Sequence, residues 1–276
     1  MDEYTEIAYR HARSLTLHYS SSFGLASRLF DRKLQPHIYA IYGLVRIADE
    51  IVDTYRGTDA AQLLDDLEAE TYAAIKRQYS TNPIVHAFAL SAKTYGISKT
   101  IIAPFFKSMR FDLHPQTYDD SLYHDYIYGS AEVVGLMCLR VFCEGDDTLY
   151  NSLESGARSL GAAYQKVNFL RDINQDFEML GRQYFPDLPH DQLDDTAKDA
   201  IVADIEKDFA HAAPYIERLP PTCREAVRVS YFYYTRLLQK LKATPVEHIK
   251  TSRVRIPTAQ KLQLFARAAV RQKTRR

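Results

Sequence analysis

Asp49 and Asp53, in "RIADEIVD", and Asp172 and Asp176, in "NFLRDINQD", repeat one spacing twice: two carboxylates four residues apart. On an α-helix such residues differ by about 40° in azimuth and hold their Cβ atoms roughly 5–6 Å apart, so each pair turns both carboxylates to one side. Glu50 points about 100° away. Like charges at this spacing weaken an isolated helix by about 0.2–0.5 kcal/mol, which asks for a compensating cation. If the two helices face one cavity, four carboxylates converge. Oxygen-only ligands favour Mg²⁺, with Mn²⁺ as a substitute, and Mg²⁺ keeps several waters while bridging carboxylates to substrate phosphates. Arg46 lies three residues before Asp49, Arg171 directly before Asp172, and Arg182 shortly after Asp176. A guanidinium fork matches phosphate oxygens, so the neighbours fit a diphosphate better than a bare ion.

The elements that must carry these residues are helical. Ten glycines and eleven prolines in 276 residues fall well below the roughly 12 % of average usage, and scarce breakers favour helix. Apolar residues recur with a period near 3.6 almost everywhere. This predicts helices at about 3–30, 34–55, 60–79, 82–95, 98–111, 119–143, 147–178, 196–218, 221–242 and 258–272. No linker, repeat or composition shift marks a boundary, so residues 1–276 are expected to form a single all-helical domain. The longest expected non-helical stretch, 181–195, follows the second acidic pair directly and suits a lid.

Composition removes several function classes. Positive and negative side chains balance at 35 each, so no basic excess draws in nucleic acid. Cys138, Cys143 and Cys223 are odd in number and lack C-x-x-C spacing, which suits free thiols in a reducing compartment. The N-terminus has no apolar leader, and nowhere do eighteen uncharged apolar residues run together. A cytoplasmic protein is expected. The basic tail carrying Arg267, Arg271, Lys273, Arg275 and Arg276 could touch the inner membrane surface peripherally. A di-iron bundle would need Glu-x-x-His pairs, and none of the nine histidines has a Glu three residues before it. The sequence does not specify an oligomeric state.

"NFLRDINQDFEMLGRQYFP" closely resembles the N-x-L-R-D-x-x-x-D…GR-x-Y-x-P hallmark of the squalene/phytoene synthase family, and "RIADEIVD" resembles that family's first aspartate-rich motif. "YSSSF" at 19–23, "YIYGSAEVVGLM" at 126–137 and "SRVRIPTAQKLQLF" at 252–265 resemble further family motifs, in family order. The resemblance implies an isoprenoid-synthase (terpenoid synthase) helical fold around a central cavity, and head-to-head condensation of two prenyl diphosphates. It implies that Asp49, Asp53, Asp172 and Asp176 ligate Mg²⁺, with Asn168 on the same turn. It casts Arg46, Arg171, Arg182, Tyr42 and Ser22 as diphosphate contacts, Gln165 as a cavity residue, and Tyr128 and Tyr184 as phenols near the reacting carbons.

Two departures stand out. Gln175 occupies a position where many relatives carry an acid, and only Glu247 or His248 offers itself where some relatives place a tyrosine. For the walls of an apolar channel the expected residues are Phe23, Leu25, Val133, Val134, Met137, Leu139 and Val141. The small residues Gly24, Ala26 and Ser27 after Phe23 leave room along one wall, which leans towards C20 substrates. The similarity of "GLMCLRVF" and "YQKVNFLRD" to bacterial carotenoid-pathway members implies phytoene from two geranylgeranyl diphosphates, with squalene or dehydrosqualene from two farnesyl diphosphates as the alternative. No G-x-G fingerprint is present, and NADPH is not expected.

Overall fold

The computed structural model describes residues 2–113, 118–180, 182, 184–186, 188, 192–261, 263 and 265–266. Among them there is no β-strand. The helices are α1 (Glu3–Tyr19), α2 (Ser21–Ala26), α3 (Gln35–Asp49), α4 (Ala60–Arg77), α5 (Pro83–Tyr95), α6 (Lys99–Phe111), α7 (Asp120–Ile127), α8 (Val133–Cys143), α9 (Asp147–Leu180), α10 (Asp195–Arg218), α11 (Pro221–Lys242) and the short α12 (Val246–Ile249).

Local chemistry sets the boundaries. Asp2, Asn82, Asp119 and Asp194 each accept a backbone N–H from the first turn of the helix they precede, and Pro83 starts α5 at a position where its missing N–H is harmless. Gly96 ends α5 at φ 68°, in the left-handed region. The expected helix at 3–30 is broken: Ser20 is extended, and its hydroxyl accepts the N–H of Phe23 to start α2 afresh. Two further expected helices contain a five-residue π-turn, Glu50–Thr54 after α3 and Tyr128–Glu132 between α7 and α8. Single π-turns of this kind concentrate at functional sites.

The largest apolar cluster gathers residues of α3, α5, α6 and α8, and a second joins α9, α10, α11 and the chain after α12. A smaller cluster of tyrosines and Phe169 closes the end near Asp112. The continuous run Asp120–Cys143 is long and apolar enough to cross a membrane by length and composition, yet more than half of it is buried within the protein. It is the central helix of the core. A buried polar network of Tyr9, His37 and Ser91 ties α1, α3 and α5 together, and burial depresses the His37 imidazole to about 4, so it stays neutral.

Candidate active site

A cavity of about 900 Å³ runs between the two large apolar clusters. One stripe of α9 lines it from Leu153 through Ala157, Leu160, Tyr164 and Asn168 to Asp172 and Asp176, at the i, i+3, i+4 positions of a single face. The stripe is apolar at its early end and acidic at its late end. Asp49 closes α3, Asp53 lies in the π-turn that follows, and both line the same cavity as Asp172 and Asp176. The four aspartates therefore line one cavity from two walls, and Asp53 reaches it through a π-turn rather than a regular fourth residue.

Their environment is strongly electrostatic. Burial, and then the neighbouring Asp53 carboxylate, push the Asp49 carboxyl up to about 8. Asp176 is raised to about 7 by burial and by Asp172. The arginines take up the remaining charge. Arg182 donates to Asp53 over 2.7 Å. Asp172 is held by Arg171, whose Nε lies 2.9 Å away, and by Arg253, whose Nε lies 2.7 Å away. Arg46 stands 3.9 Å from Asp49, pairs closely with Glu50, and covers the Tyr19 ring at 4.2 Å. Among the described residues no three His, Cys, Asp or Glu side chains stand close enough to grip a metal between them. Carboxylates spread over two walls suit hard cations that complete their shell with water and phosphate oxygens. The donor set fits Mg²⁺ on that chemistry.

This arrangement costs stability when it is fully charged and metal-free. A carboxyl whose folded value is raised above its unfolded value of 3.8 gives a contribution that is greatest below the unfolded value and lost as pH climbs to about 7 or 8. Asp49→Asn should therefore melt above wild type in chelator, with a gap that widens from pH 5 to pH 8 to the order of a few kcal/mol. Thermal melts at the two pH values check it; a gap independent of pH would contradict the buried-carboxylate assignment.

The other expected site residues divide. Phe23, Tyr42, Arg46, Val134, Gln165, Asn168, Arg171, Arg182 and Tyr184 line the cavity. Tyr42 stacks on Phe23 with ring centroids 5.4 Å apart, and burial pushes its phenol up to about 12. The side chain of Ser22 lies outside the described residues, as do the basic tail from Arg267 onward and Gly181, Gln183, Asp187 and 189–191 of the expected lid. Met137 does not reach the cavity. On α8 it shares a face with Val133 and Val141, all fully buried in the core, whereas Val134 and Cys138 face inward.

Tyr128 is likewise absent from the lining. Its ring lies under Arg158 at 5.1 Å, on the far side of the π-turn. Tyr126 takes the inward place, and its hydroxyl donates to Asp112 over 2.8 Å. The tyrosine of "Y-x-x-G" is Tyr126, three before Gly129, so the signal was present in the motif. Neither Glu247 nor His248 lines the cavity; the phenol beside Asn168 is Tyr234, whose hydroxyl stands 3.5 Å from Asn168 Oδ1. Arg253 and Asp112 were also missed. Arg253 belongs to the basic closing segment, but Asp112 has no periodic partner to announce it.

The family model for squalene/phytoene synthase matches residues 16–260. The chain belongs to the squalene/phytoene synthase family. It is an enzyme of the prenyltransferase type, of a family that joins prenyl diphosphates head to head. Among curated relatives, a 4,4'-diapophytoene synthase of Staphylococcus haemolyticus is 26 % identical over 71 % of this chain and 68 % of its own length. A 15-cis-phytoene synthase of Enterobacter agglomerans is 32 % identical over 60 % of this chain, and the match spans 58 % of that enzyme's own length. A solved dehydrosqualene synthase superposes with a TM-score of 0.82 at 19 % identity, covering 98 % of both chains. The fold is accordingly the isoprenoid-synthase helical fold.

Proposed function

We propose that this protein is a Mg²⁺-dependent phytoene synthase, condensing two geranylgeranyl diphosphates through a cyclopropyl diphosphate and releasing diphosphate. The observation that carries the reading is the depth of the cavity below the acidic cluster. From Asp172 down to Leu153 the lining stripe of α9 extends about 28 Å at 1.5 Å per residue. A twenty-carbon chain uses that depth more fully than a fifteen-carbon one, at a gain of about 0.8 kcal/mol per buried methylene. The phytoene synthase relative at 32 % identity supports the same choice.

Asp49, Asp53, Asp172 and Asp176, with Asn168, would hold the cations, which when bound stabilise the departing diphosphate. Arg46, Arg171 and Arg182 would bind diphosphate oxygens and fix the reacting end at the acidic rim. Phe23, Tyr42, Phe169 and Tyr184 also line the space, where aromatic rings would favour an allylic or cyclopropylcarbinyl cation. The apolar walls exclude water that would quench each cation. Loss of a proton, rather than hydride addition, would end the sequence without NADPH. The reading is cytoplasmic, with the basic C-terminal tail as a peripheral membrane contact.

Purified protein with Mg²⁺ and geranylgeranyl diphosphate should yield a C40 hydrocarbon with a triene core, identified by mass analysis of the organic extract, with or without NADPH. Farnesyl diphosphate alone giving a C30 product would replace the C20 assignment with the second reading, dehydrosqualene or squalene formation, which the diapophytoene synthase relative favours.

A further inference from the structure

Arg182 is 8 % exposed, and its guanidinium has two carboxylate neighbours on different elements. Nη1 donates to Asp53 over 2.7 Å, and Nε stands 3.5 Å from Asp112 Oδ1. Nη2 donates to the backbone oxygens of Asp112 over 2.8 Å and Val52 over 3.4 Å, contacts that fix its place whichever carboxylate balances it. The Asp112 side chain, 4 % exposed, also accepts from Tyr126 over 2.8 Å and from Tyr184 over 3.4 Å. Asp112 lies just past the end of α6, outside both acidic motifs.

A buried guanidinium that loses its only counter-charge is strongly unfavourable. Asp53, 39 % exposed on the cavity side, is the partner a cation would claim. We infer that Asp112 is a positioning residue that serves as the reserve counter-charge of Arg182, so that Asp53 can exchange its arginine for a metal ion. The inference rests on the metal-site reading of the four aspartates. In the metal-free protein Arg182 is shared between the two carboxylates. When the cation takes Asp53, the guanidinium keeps its backbone anchors, and Asp112 is the carboxylate left to balance its charge. Asp112 thus sets the affinity of the acidic cluster without touching the metal or the substrate.

The test uses the full chain with inorganic pyrophosphate at fixed concentration, titrates Mg²⁺, and reads the melting temperature with no prenyl substrate present. In Asp112→Asn, Asp53 is the only ion-paired carboxylate left to Arg182, which then competes with the cation for it. The Mg²⁺ concentration at the midpoint should rise about tenfold, the effect typical of losing a group that supports a metal ligand. Asp66→Asn on the exposed face of α4 should leave it unchanged. In the Arg182→Gln background, Asp112→Asn should add no further rise, because the competitor is gone. Asp112→Ser repeats the charge removal if the amide variant does not fold. An unchanged midpoint in a folded Asp112 variant, or the same rise with and without Arg182, overturns the inference while leaving the metal reading standing. A wild type that ignores Mg²⁺ would overturn both.

Discussion

Asp172→Asn is expected to turn over its substrates about 10³-fold more slowly than wild type, a loss of about 4 kcal/mol of transition-state stabilisation, while melting within a few degrees of it. Asp172 is the most heavily engaged of the four cavity aspartates, held by Arg171 from its own helix and by Arg253 from the closing segment. An amide cannot balance those guanidinium groups or, on the proposed reading, help to hold a divalent ion at the rim. Stability is another matter, because the terms oppose. The exposed Arg253 loses little, the more buried Arg171 loses more, and Asp176 is relieved of the neighbour that helps to push its carboxyl up to about 7. Product formation and thermal melting on one preparation separate the two effects. Normal turnover in this variant would remove Asp172 from the catalytic site.

Gly129→Ala should instead strike the fold. A Cβ there would lie 2.2 Å from the Pro104 carbonyl oxygen and 2.0 Å from Ser108 Oγ. The serine hydroxyl can rotate away, but the carbonyl is backbone of α6 and cannot. Overpacking of this kind costs typically 1–3 kcal/mol and more where main chain must move. We expect about 3 kcal/mol, which for a chain of this size lowers the melting point by roughly 5–10 °C. Since Gly129 stands three residues after Tyr126, the surviving folded fraction should also lose activity through the displaced Tyr126 hydroxyl. An unchanged melting curve would mean that α6 and the π-turn are not in the close contact described.

Helices were legible because apolar periodicity and the scarcity of glycine and proline point the same way, and most ends fall within a few residues of expectation. The four aspartates were legible because i, i+4 carboxylates in apolar helices contradict ordinary packing. Other features left no such trace. Ser20 interrupts the first helix through a single side-chain cap in a segment whose periodicity continues across it. Met137 and Val134 are both apolar residues of a helix buried on nearly every side, so hydrophobicity could not tell the cavity face from the core face. Asp112 is one acid among 35 in the sequence, and only the tertiary approach of Arg182, seventy residues on, gives it meaning. The exchange of Tyr128 for Tyr126 was legible after all, since Tyr126 is the tyrosine three before Gly129 and residues two apart on a helix lie about 200° apart, on opposite faces.

That π-turn at Tyr128–Glu132 has a bearing on how the enzyme can be altered. It accommodates one residue more than a regular helical turn. Deleting a residue from a regular stretch of α8 would turn everything after it by about 100° and carry Cys138 off the cavity wall. Deleting one within the π-turn would instead close it to a regular helical turn and leave α8 in its present rotation, because the surplus residue is absorbed there. Val134 and Cys138 would keep their places, and so would the acidic rim on α3 and α9. The π-turn is therefore the place where this helix can change length by one residue without re-lining the chamber.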